Sequence, residues 1–173
     1  MAETAATFEL MSSQHVLRTL NRIGRQIIED NTEELPITLA GINERGGYLA
    51  NVLYTILDRE ISAPINIHQL KIDGSSVTAP NNMVLDNVFL IIFDDVIFSG
   101  KTMYYAFHKA MDSGNPSMIK LAALIDRGHR KFPVEAQYTG MYSPTKFQEH
   151  VQCKFSKDGK PEGVELHYSH STG

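Results

Sequence analysis

The stretch that most constrains this chain is an unbroken apolar run, Val88 to Phe93, which ends in two adjacent carboxylates, Asp94 and Asp95. Such a run is typical of a strand that is buried on both faces, as in a parallel sheet covered by helices. Ligands of open α/β sheets bind at the carboxyl ends of the strands. The sequence therefore predicts an α/β fold with a polar site just after this strand.

The residues after the carboxylates predict a phosphate site. Ser99 to Thr102 read Ser-Gly-Lys-Thr and begin a segment with helical spacing that extends to Ser113. Backbone N–H groups at the start of a helix bind anions, and the two hydroxyls add donors. Carboxylates beside such a turn suit a ribose phosphate, with a divalent metal between them. The alternative interpretation is a solvated turn followed by a helix cap.

The same residues exclude a P-loop. Gly100, Lys101 and Thr102 copy the end of that motif. The motif also needs a glycine five residues before Gly100, and this chain has Asp95 at that position.

A second strand and helix fit the same fold class. Ser12 or Ser13 is placed to cap a helix over residues 14–31. The strand predicted at Ile37 to Ile42 is followed directly by Asn43-Glu44-Arg45-Gly46-Gly47, and a helix is expected from Tyr48 to Arg59. Glycines allow close approach of the backbone, and arginine can bind phosphate through two donors. A turn of this kind is also common without a ligand.

Composition narrows the class of protein further. A length of 173 residues fits one domain, 1–173, with a loose arm over 1–11 and a loose tail over 169–173. The net charge of −4 does not favour nucleic acid binding, although a local basic patch would be compatible with it. A single cysteine, Cys153, excludes an internal disulfide and fits the cytoplasm. No apolar run is long enough for a membrane span.

Three segments together resemble a known family. Asp94 to Thr102 is similar to the PRPP-binding signature of type I phosphoribosyltransferases. Ala40 to Ala50 resembles the pyrophosphate loop of the PyrR family, and Leu124 to Pro133 resembles its Asp-Arg-Gly-His-Arg hood segment. The similarity extends from about Gln14 to Tyr168, which is nearly the whole chain.

The resemblance implies a type I phosphoribosyltransferase fold. That fold is a twisted, mostly parallel sheet flanked by helices, with a small hood; a C-terminal β-hairpin is expected around Asp158-Gly159. The implied activity is that of a glycosyltransferase of nucleotide salvage, which converts uracil and PRPP to UMP and pyrophosphate. Family members commonly form homodimers or larger homo-oligomers.

The resemblance also implies a set of site residues. Glu44, Arg45 and Gly46 would line the pyrophosphate site, and Arg45 would act in catalysis with Asp94 and Asp95. The two aspartates would bind the ribose hydroxyls directly or through Mg²⁺, the expected cofactor. The other expected PRPP contacts are Phe98, Ser99, Gly100, Lys101, Thr102 and Arg127.

Two segments depart from the family pattern. Asn43-Glu44 stands where the family often has Lys or Thr, and the carboxylate of Glu44 is unfavourable beside pyrophosphate unless it faces away or orders a Mg²⁺-bound water. Residues 71–87 match the flexible catalytic loop in position but are shortened. Lys71 stands where the family has arginine, and it lacks the planar fork of that side chain.

The acceptor and the partners are predicted from fewer residues. Phe98 stands where purine transferases usually have an aspartate, so uracil is favoured, with a purine second and another base or amine third. The basic turn from Arg127 to Lys131 is either a nucleobase hood or an RNA-phosphate contact. The competing interpretation of the whole chain is a regulator that binds an mRNA leader and retains weak catalysis.

Overall fold

A computed structural model describes residues 6–146 and 148–168, in which nine strands and three helices form two sheets and their cover. The strands are β1 (Ala6–Ser12), β2 (Ile37–Ile42), β3 (Ile65–Asp73), β4 (Ser76–Thr78), β5 (Phe89–Ile97), β6 (Met118–Asp126), β7 (Tyr138–Tyr142), β8 (Glu149–Phe155) and β9 (Pro161–Tyr168). The helices are α1 (Ser13–Asp30), α2 (Asn43–Leu57) and α3 (Lys101–Ala110), and α3 continues into a 3-10 turn at Met111–Ser113.

The larger sheet has the order β4-β3-β2-β5-β6-β7, and only β4 is antiparallel to its neighbour. The apolar run predicted from the sequence forms β5, which lies in the interior between β2 and β6. Gly41 of β2 pairs with Phe93, and Ala123 of β6 pairs with Asp94. The carboxyl ends of three parallel strands therefore meet at the residues predicted to be functional.

Both faces of β5 are buried, as the unbroken apolar run predicts. Phe89, Ile91 and Phe93 pack into the core that includes α1 and α2. Leu90 and Ile92 pack into the core that includes α3. Side chains alternate between the two faces of a strand, so a strand covered by helices on both sides needs apolar residues at every position.

The smaller sheet has the order β1-β9-β8 and is antiparallel throughout. Its β8–β9 hairpin confirms the predicted C-terminal hairpin. The loose arm predicted for residues 1–11 is wrong for residues 6–11, because these pair with β9 and bury Met11 to 1% exposure. Residues 1–5 and the tail predicted over 169–173 lie outside the described residues.

Part of the segment predicted to be a mobile loop is a hairpin. β3 continues to Asp73, and β4 pairs back onto it around Gly74-Ser75. Ile72 and Val77 pack against the core cluster of α3, since both are apolar and lie on one face of the hairpin. The rest of the segment is irregular, but it buries Met83 and Leu85.

α1 has nearly its predicted bounds, whereas α2 begins earlier than predicted. Ser12 caps α1 through its Oγ, which accepts a hydrogen bond from the His15 N–H at 3.2 Å. α2 begins at Asn43, directly after β2, so the predicted pyrophosphate loop is the first turn of that helix. Among the described residues, none of the helices combines the length and apolar content that a membrane crossing needs.

Candidate active site

The two aspartates at the end of β5 have different surroundings. Asp94 is 6% exposed, and its Oδ1 accepts a hydrogen bond from the Asp95 N–H at 2.9 Å. Burial raises the pKa of Asp94 well above its usual value, and the neighbouring charge of Asp95 raises it further. Burial therefore disfavours ionisation of Asp94 when no cation lies beside it.

The first turn of α2 brings a cation to this carboxylate pair. Arg45 Nη1 lies 3.9 Å from Asp95 Oδ2, and its side chain is 48% exposed. An ion pair this long and exposed contributes little to stability, so the guanidinium remains available to a ligand. Both residues line a cavity of about 290 Å³ together with Ile42, Asn43, Glu44 and Asp94.

Glu44 lines the same cavity and is hydrogen-bonded along its own helix. Its Oε1 accepts a hydrogen bond from the Tyr48 hydroxyl at 2.6 Å, one turn along α2. The same hydrogen bond raises the pKa of the Tyr48 hydroxyl. Tyr48 therefore holds the Glu44 carboxylate along α2, and its arrangement beside pyrophosphate stays a prediction.

Gly46 lies against protein and not against either site cavity. A Cβ at this position would stand 2.6 Å from the carbonyl oxygen of Phe93. A Cβ at Gly41 would stand 2.5 Å from the Gly46 carbonyl. The two glycines therefore let α2 pack closely on the ends of β2 and β5, and this packing places Arg45 beside Asp95.

The residues Ser99–Thr102, called here the phosphate turn, follow β5 and include the first two residues of α3. Gly100 has φ +80°, and a Cβ there would stand 2.4 Å from a methyl group of Val134, so glycine is required twice over. The first N–H groups of a helix have no intrahelical acceptor. The phosphate turn lines a cavity of about 100 Å³ that also borders Asp94. The predicted carboxylate and phosphate sites are thus adjacent.

The hood loop, residues 127–134, is hydrogen-bonded to the phosphate turn. Ser99 O accepts hydrogen bonds from the N–H groups of Lys131 at 2.9 Å and Phe132 at 3.1 Å. Arg130 donates to Phe98 O at 3.0 Å and forms a 2.6 Å ion pair with the buried Asp126. These contacts tie the position of the hood loop to that of the turn that would hold phosphate.

Arg127 packs beneath Phe98 and lines neither site cavity. Its guanidinium carbon lies 4.2 Å from the centre of the Phe98 ring. The side chain donates to Thr145 Oγ1 and, at 2.7 Å, to Glu149 O. His129 also contacts the Phe98 ring, with 5.2 Å between ring centres. Arg127 therefore supports the aromatic side chain, and a direct contact with PRPP stays a prediction.

β8 also contributes to the site, which no sequence motif predicted. A cavity of about 360 Å³ adjoins Arg45 and is lined mainly by residues 152–157, with Glu44, Tyr48 and Glu162. Cys153 forms part of its wall; burial raises the pKa of the thiol, and the charge of Asp95 raises it further. No local motif marks these residues, which are consecutive positions at the end of β8 and in the turn after it.

The donor set fits a magnesium ion that arrives with its substrate. In the part of the chain that the structure describes, no three His, Cys, Asp or Glu side chains are grouped to hold a metal. Asp94 and Asp95 both line the 290 Å³ cavity. Mg²⁺ in phosphate sites is usually held by one or two carboxylates together with substrate phosphates and water. Two adjacent carboxylates meet that requirement.

The family model and the similar sequences indicate the same family. The model of the phosphoribosyl transferase domain matches residues 8–156. The bifunctional protein PyrR of Alkaliphilus metalliredigens is 33% identical over 170 residues, which cover 91% of this chain and 93% of the relative. The protein of the same name from Mycobacterium ulcerans is 34% identical over 172 residues, covering 90% of this chain and 92% of the relative.

Solved structures agree on the fold. A hypoxanthine phosphoribosyltransferase of Trypanosoma cruzi superposes with a TM-score of 0.78 at 14% identity, covering 94% of this chain and 97% of the other. A hypoxanthine-guanine phosphoribosyltransferase of Bacillus anthracis gives 0.71 at 19% identity, covering 93% and 99%. The expected type I phosphoribosyltransferase fold is confirmed. The chain belongs to the phosphoribosyl transferase family and, within it, to the group of PyrR proteins.

Proposed function

We propose that this chain transfers the phosphoribosyl group of PRPP to uracil, giving UMP and pyrophosphate. The observation that carries the proposal is the meeting of three groups at one edge of the sheet. These are the Asp94–Asp95 pair, the phosphate turn and the Arg45 guanidinium. Membership of the family supports the reaction class.

Each group has a role that its chemistry suits. The phosphate turn holds the 5′-phosphate through the first N–H groups of α3 and the hydroxyls of Ser99 and Thr102. Asp94 and Asp95 bind the ribose hydroxyls, and Arg45 binds the pyrophosphate. Lys101 lies over the Tyr105 ring, with 5.9 Å from Nζ to the ring centre, and offsets charge from the surface. The protein supplies no nucleophile; it orients two substrates.

Asp94 and Asp95 are also the residues that would hold Mg²⁺. Bound there with PRPP, the ion would supply positive charge to compensate the leaving pyrophosphate. The protein's own contribution is the pair of adjacent carboxylates and the neighbouring Arg45, which limit how PRPP can lie in the cavity.

The preference for uracil rests on Phe98. Its ring contacts the Arg127 guanidinium on one side and packs near His129, and it offers no hydrogen-bond donor or acceptor. A purine acceptor is recognised more strongly by a site that hydrogen-bonds its ring nitrogens. A ring in this position suits stacking and is compatible with backbone recognition of a small pyrimidine.

The test is pyrophosphate release from PRPP and Mg²⁺ with uracil, hypoxanthine, guanine or orotate. We expect turnover with uracil alone. Asp95→Asn should remove most of that turnover while its circular dichroism spectrum stays that of the parent. Turnover with a purine in place of uracil would refute the acceptor, and near-native turnover by folded Asp95→Asn would refute the role of that carboxylate.

A second candidate function is regulation through an mRNA leader, favoured by the word "bifunctional" in the names of the relatives. Arg18 and Arg25 are exposed on α1 and offer phosphate contacts. Arg22 is engaged instead, since it donates to Thr139 O and Gly140 O. Filter binding with a pyrimidine-operon leader tests this function. Salt-sensitive binding that UMP strengthens would support it.

A further inference from the structure

Two successive backbone carbonyls just after β5 accept hydrogen bonds from the hood loop. Phe98 O accepts from Arg130 Nη1 at 3.0 Å. Ser99 O accepts from the N–H groups of Lys131 at 2.9 Å and Phe132 at 3.1 Å. The hood loop therefore sets the direction in which both carbonyls point, at the place where the phosphate turn begins.

The direction of a carbonyl also sets the direction of the N–H group in the same peptide unit. The peptide bonds from Phe98 to Gly100 are trans, and the C=O and N–H bonds of a trans peptide unit point in opposite directions. Because Phe98 O and Ser99 O face the hood loop, the N–H groups of Ser99 and Gly100 face away from it. Within residues 6–146 and 148–168, neither of these two N–H groups donates to a protein acceptor.

The side of the turn that these N–H groups face is the side of the cavity. The described residues that line the 100 Å³ cavity are Asp94 and residues 96–103, so the hood loop lies on the other side of the turn. A phosphate in this cavity would meet two donors. Peptide units turned the other way would instead present two carbonyl oxygens to the phosphate and repel it.

Arg130 is the hood-loop side chain that maintains this arrangement. Besides its bond to Phe98 O, its Nη2 pairs with Asp126 at 2.6 Å and its Nε donates to Val134 O at 2.9 Å. Asp126 is 8% exposed, and its other carboxylate oxygen accepts from the Gly128 N–H at 2.8 Å. One guanidinium thus joins the end of β6, the end of the hood loop and the phosphate turn. Arg130 itself lines none of the three site cavities.

We propose that Arg130 is a positioning residue that turns the Ser99 and Gly100 N–H groups toward the 5′-phosphate of PRPP. It acts without touching the substrate, through the carbonyl of Phe98 and through the loop whose N–H groups bind Ser99 O. The inference rests on the proposed function and deepens it, because it makes the phosphate affinity of the turn depend on a second segment of the chain.

Two substitutions separate the orientation of the peptides from the charge of Arg130. Arg130→Lys keeps the positive charge, but lysine lacks the planar fork that serves Asp126, Phe98 O and Val134 O together. Arg130→Met removes the charge as well. Calorimetry then measures the affinity for two ligands. Ribose 5-phosphate needs the phosphate turn, whereas pyrophosphate with Mg²⁺ is assigned to the neighbourhood of Arg45.

We expect both variants to bind ribose 5-phosphate at least about tenfold more weakly than the parent, as for loss of a hydrogen bond to a charged group. Their affinity for pyrophosphate should stay within about twofold of the parent, because that ligand has no partner in common with Arg130. A substitution that only loosened the fold would weaken both ligands. In NMR spectra, ribose 5-phosphate should shift the amide protons of Ser99 and Gly100 downfield in the parent, and less in either variant.

Arg59→Lys is the matched control. It makes the same chemical change at an arginine that is exposed in the turn after α2. Arg59 lines none of the site cavities. The affinity of this variant for both ligands should stay within about twofold of the parent.

Four outcomes would overturn the inference, and they point to different errors. Parent-like affinity of both Arg130 variants for ribose 5-phosphate would remove the positioning role. Parent-like affinity of Arg130→Lys alone would show that the charge acts and not the orientation. Equal weakening of both ligands would show a general effect on the fold. A parent chain that binds neither ligand would refute the proposed function itself, before any variant is measured.

Discussion

Asp94 and Asp95 show how much two identical neighbours can differ. Consecutive side chains of a strand point to opposite faces, so one carboxylate turns into the protein and the other toward Arg45. The sequence predicts that both belong to the site but treats them as equivalent. The difference arises from the packing around the end of β5, which no local pattern records.

The stability of the folded chain should depend on pH because Asp94 is buried. The folded chain keeps the Asp94 proton in a pH range where the unfolded chain has lost it, because the pKa is raised above the usual 3.8. Stability is therefore lost as pH rises above that value. We expect Asp94→Asn to gain in melting temperature relative to the parent from pH 4 to pH 8, measured by calorimetry. A change of 1 kcal/mol corresponds to about 2–4 °C in a domain of this size.

Asp58→Asn is the control for that experiment, since Asp58 is exposed just after α2. The difference in melting temperature between this variant and the parent should vary little with pH. A pH-independent difference for Asp94→Asn would show that Asp94 ionises in the folded chain as readily as in the unfolded chain.

The roles of single residues were harder to predict than their location. The basic turn after β6 was recognised from sequence, but Arg127 was expected to contact PRPP. That contact stays a prediction, and the structure adds hydrogen bonds from Arg127 to Thr145 and to the backbone of residues 146 and 149, which no local pattern indicated. A motif that contains an arginine does not show which neighbouring groups will accept hydrogen bonds from its guanidinium.

Among the elements, α2 shows the same ambiguity for glycine. The sequence Arg45-Gly46-Gly47 predicted a loop in which small residues admit a ligand. The structure has a helix there, and Gly46 admits the backbone of β5. A glycine signals that something approaches closely, and only the tertiary structure tells whether that is substrate or protein.

The two glycines of α2 should therefore respond differently to alanine. A Cβ at Gly46 would clash with Phe93 O, so Gly46→Ala should lower the free energy of unfolding by about 1–3 kcal/mol. A Cβ at Gly47 would lie 3.7 Å from the Gln69 side chain, an ordinary contact. Gly47→Ala should raise stability by about 0.5–1 kcal/mol, the usual gain within a helix.

Urea denaturation of the two variants checks this expectation. Equal destabilisation by both would mean that the first turn of α2 does not pack on β5 as described. Because Gly46 sets the position of Arg45, we also expect Gly46→Ala to weaken PRPP binding.

At the scale of the whole molecule, the larger sheet was predictable and the smaller sheet was only partly so. Four strands of the larger sheet, β2, β3, β5 and β6, carry their own apolar patterns, and the helices between β2 and β3 and between β5 and β6 indicate parallel order. The edge strands β4 and β7 were not predicted. The β8–β9 hairpin was marked by Asp158-Gly159. β1 was missed because its pairing joins Ala6 to Tyr168, and a strand whose partner is so distant has no local signal.

Two apolar residues of β1 test that pairing. Met11 is 1% exposed, so Met11→Ala should lower the free energy of unfolding by about 2–5 kcal/mol. Phe8 is 56% exposed and makes an edge-on contact with Tyr168, so Phe8→Ala should lower it by about 1 kcal/mol or less. Chemical denaturation of both variants makes the comparison. Similarly small effects of both substitutions would mean that residues 6–11 form a loose arm and do not pair with β9.

The pairing of β1 with β9 has a consequence for synthesis of the chain on the ribosome. β1 emerges long before its partner, while the strands of the larger sheet can associate as they appear. The wall that β8 contributes beside Arg45 belongs to the sheet that is completed late. A nascent chain should therefore acquire the phosphate turn before that wall, and the β8–β9 hairpin would finish the site.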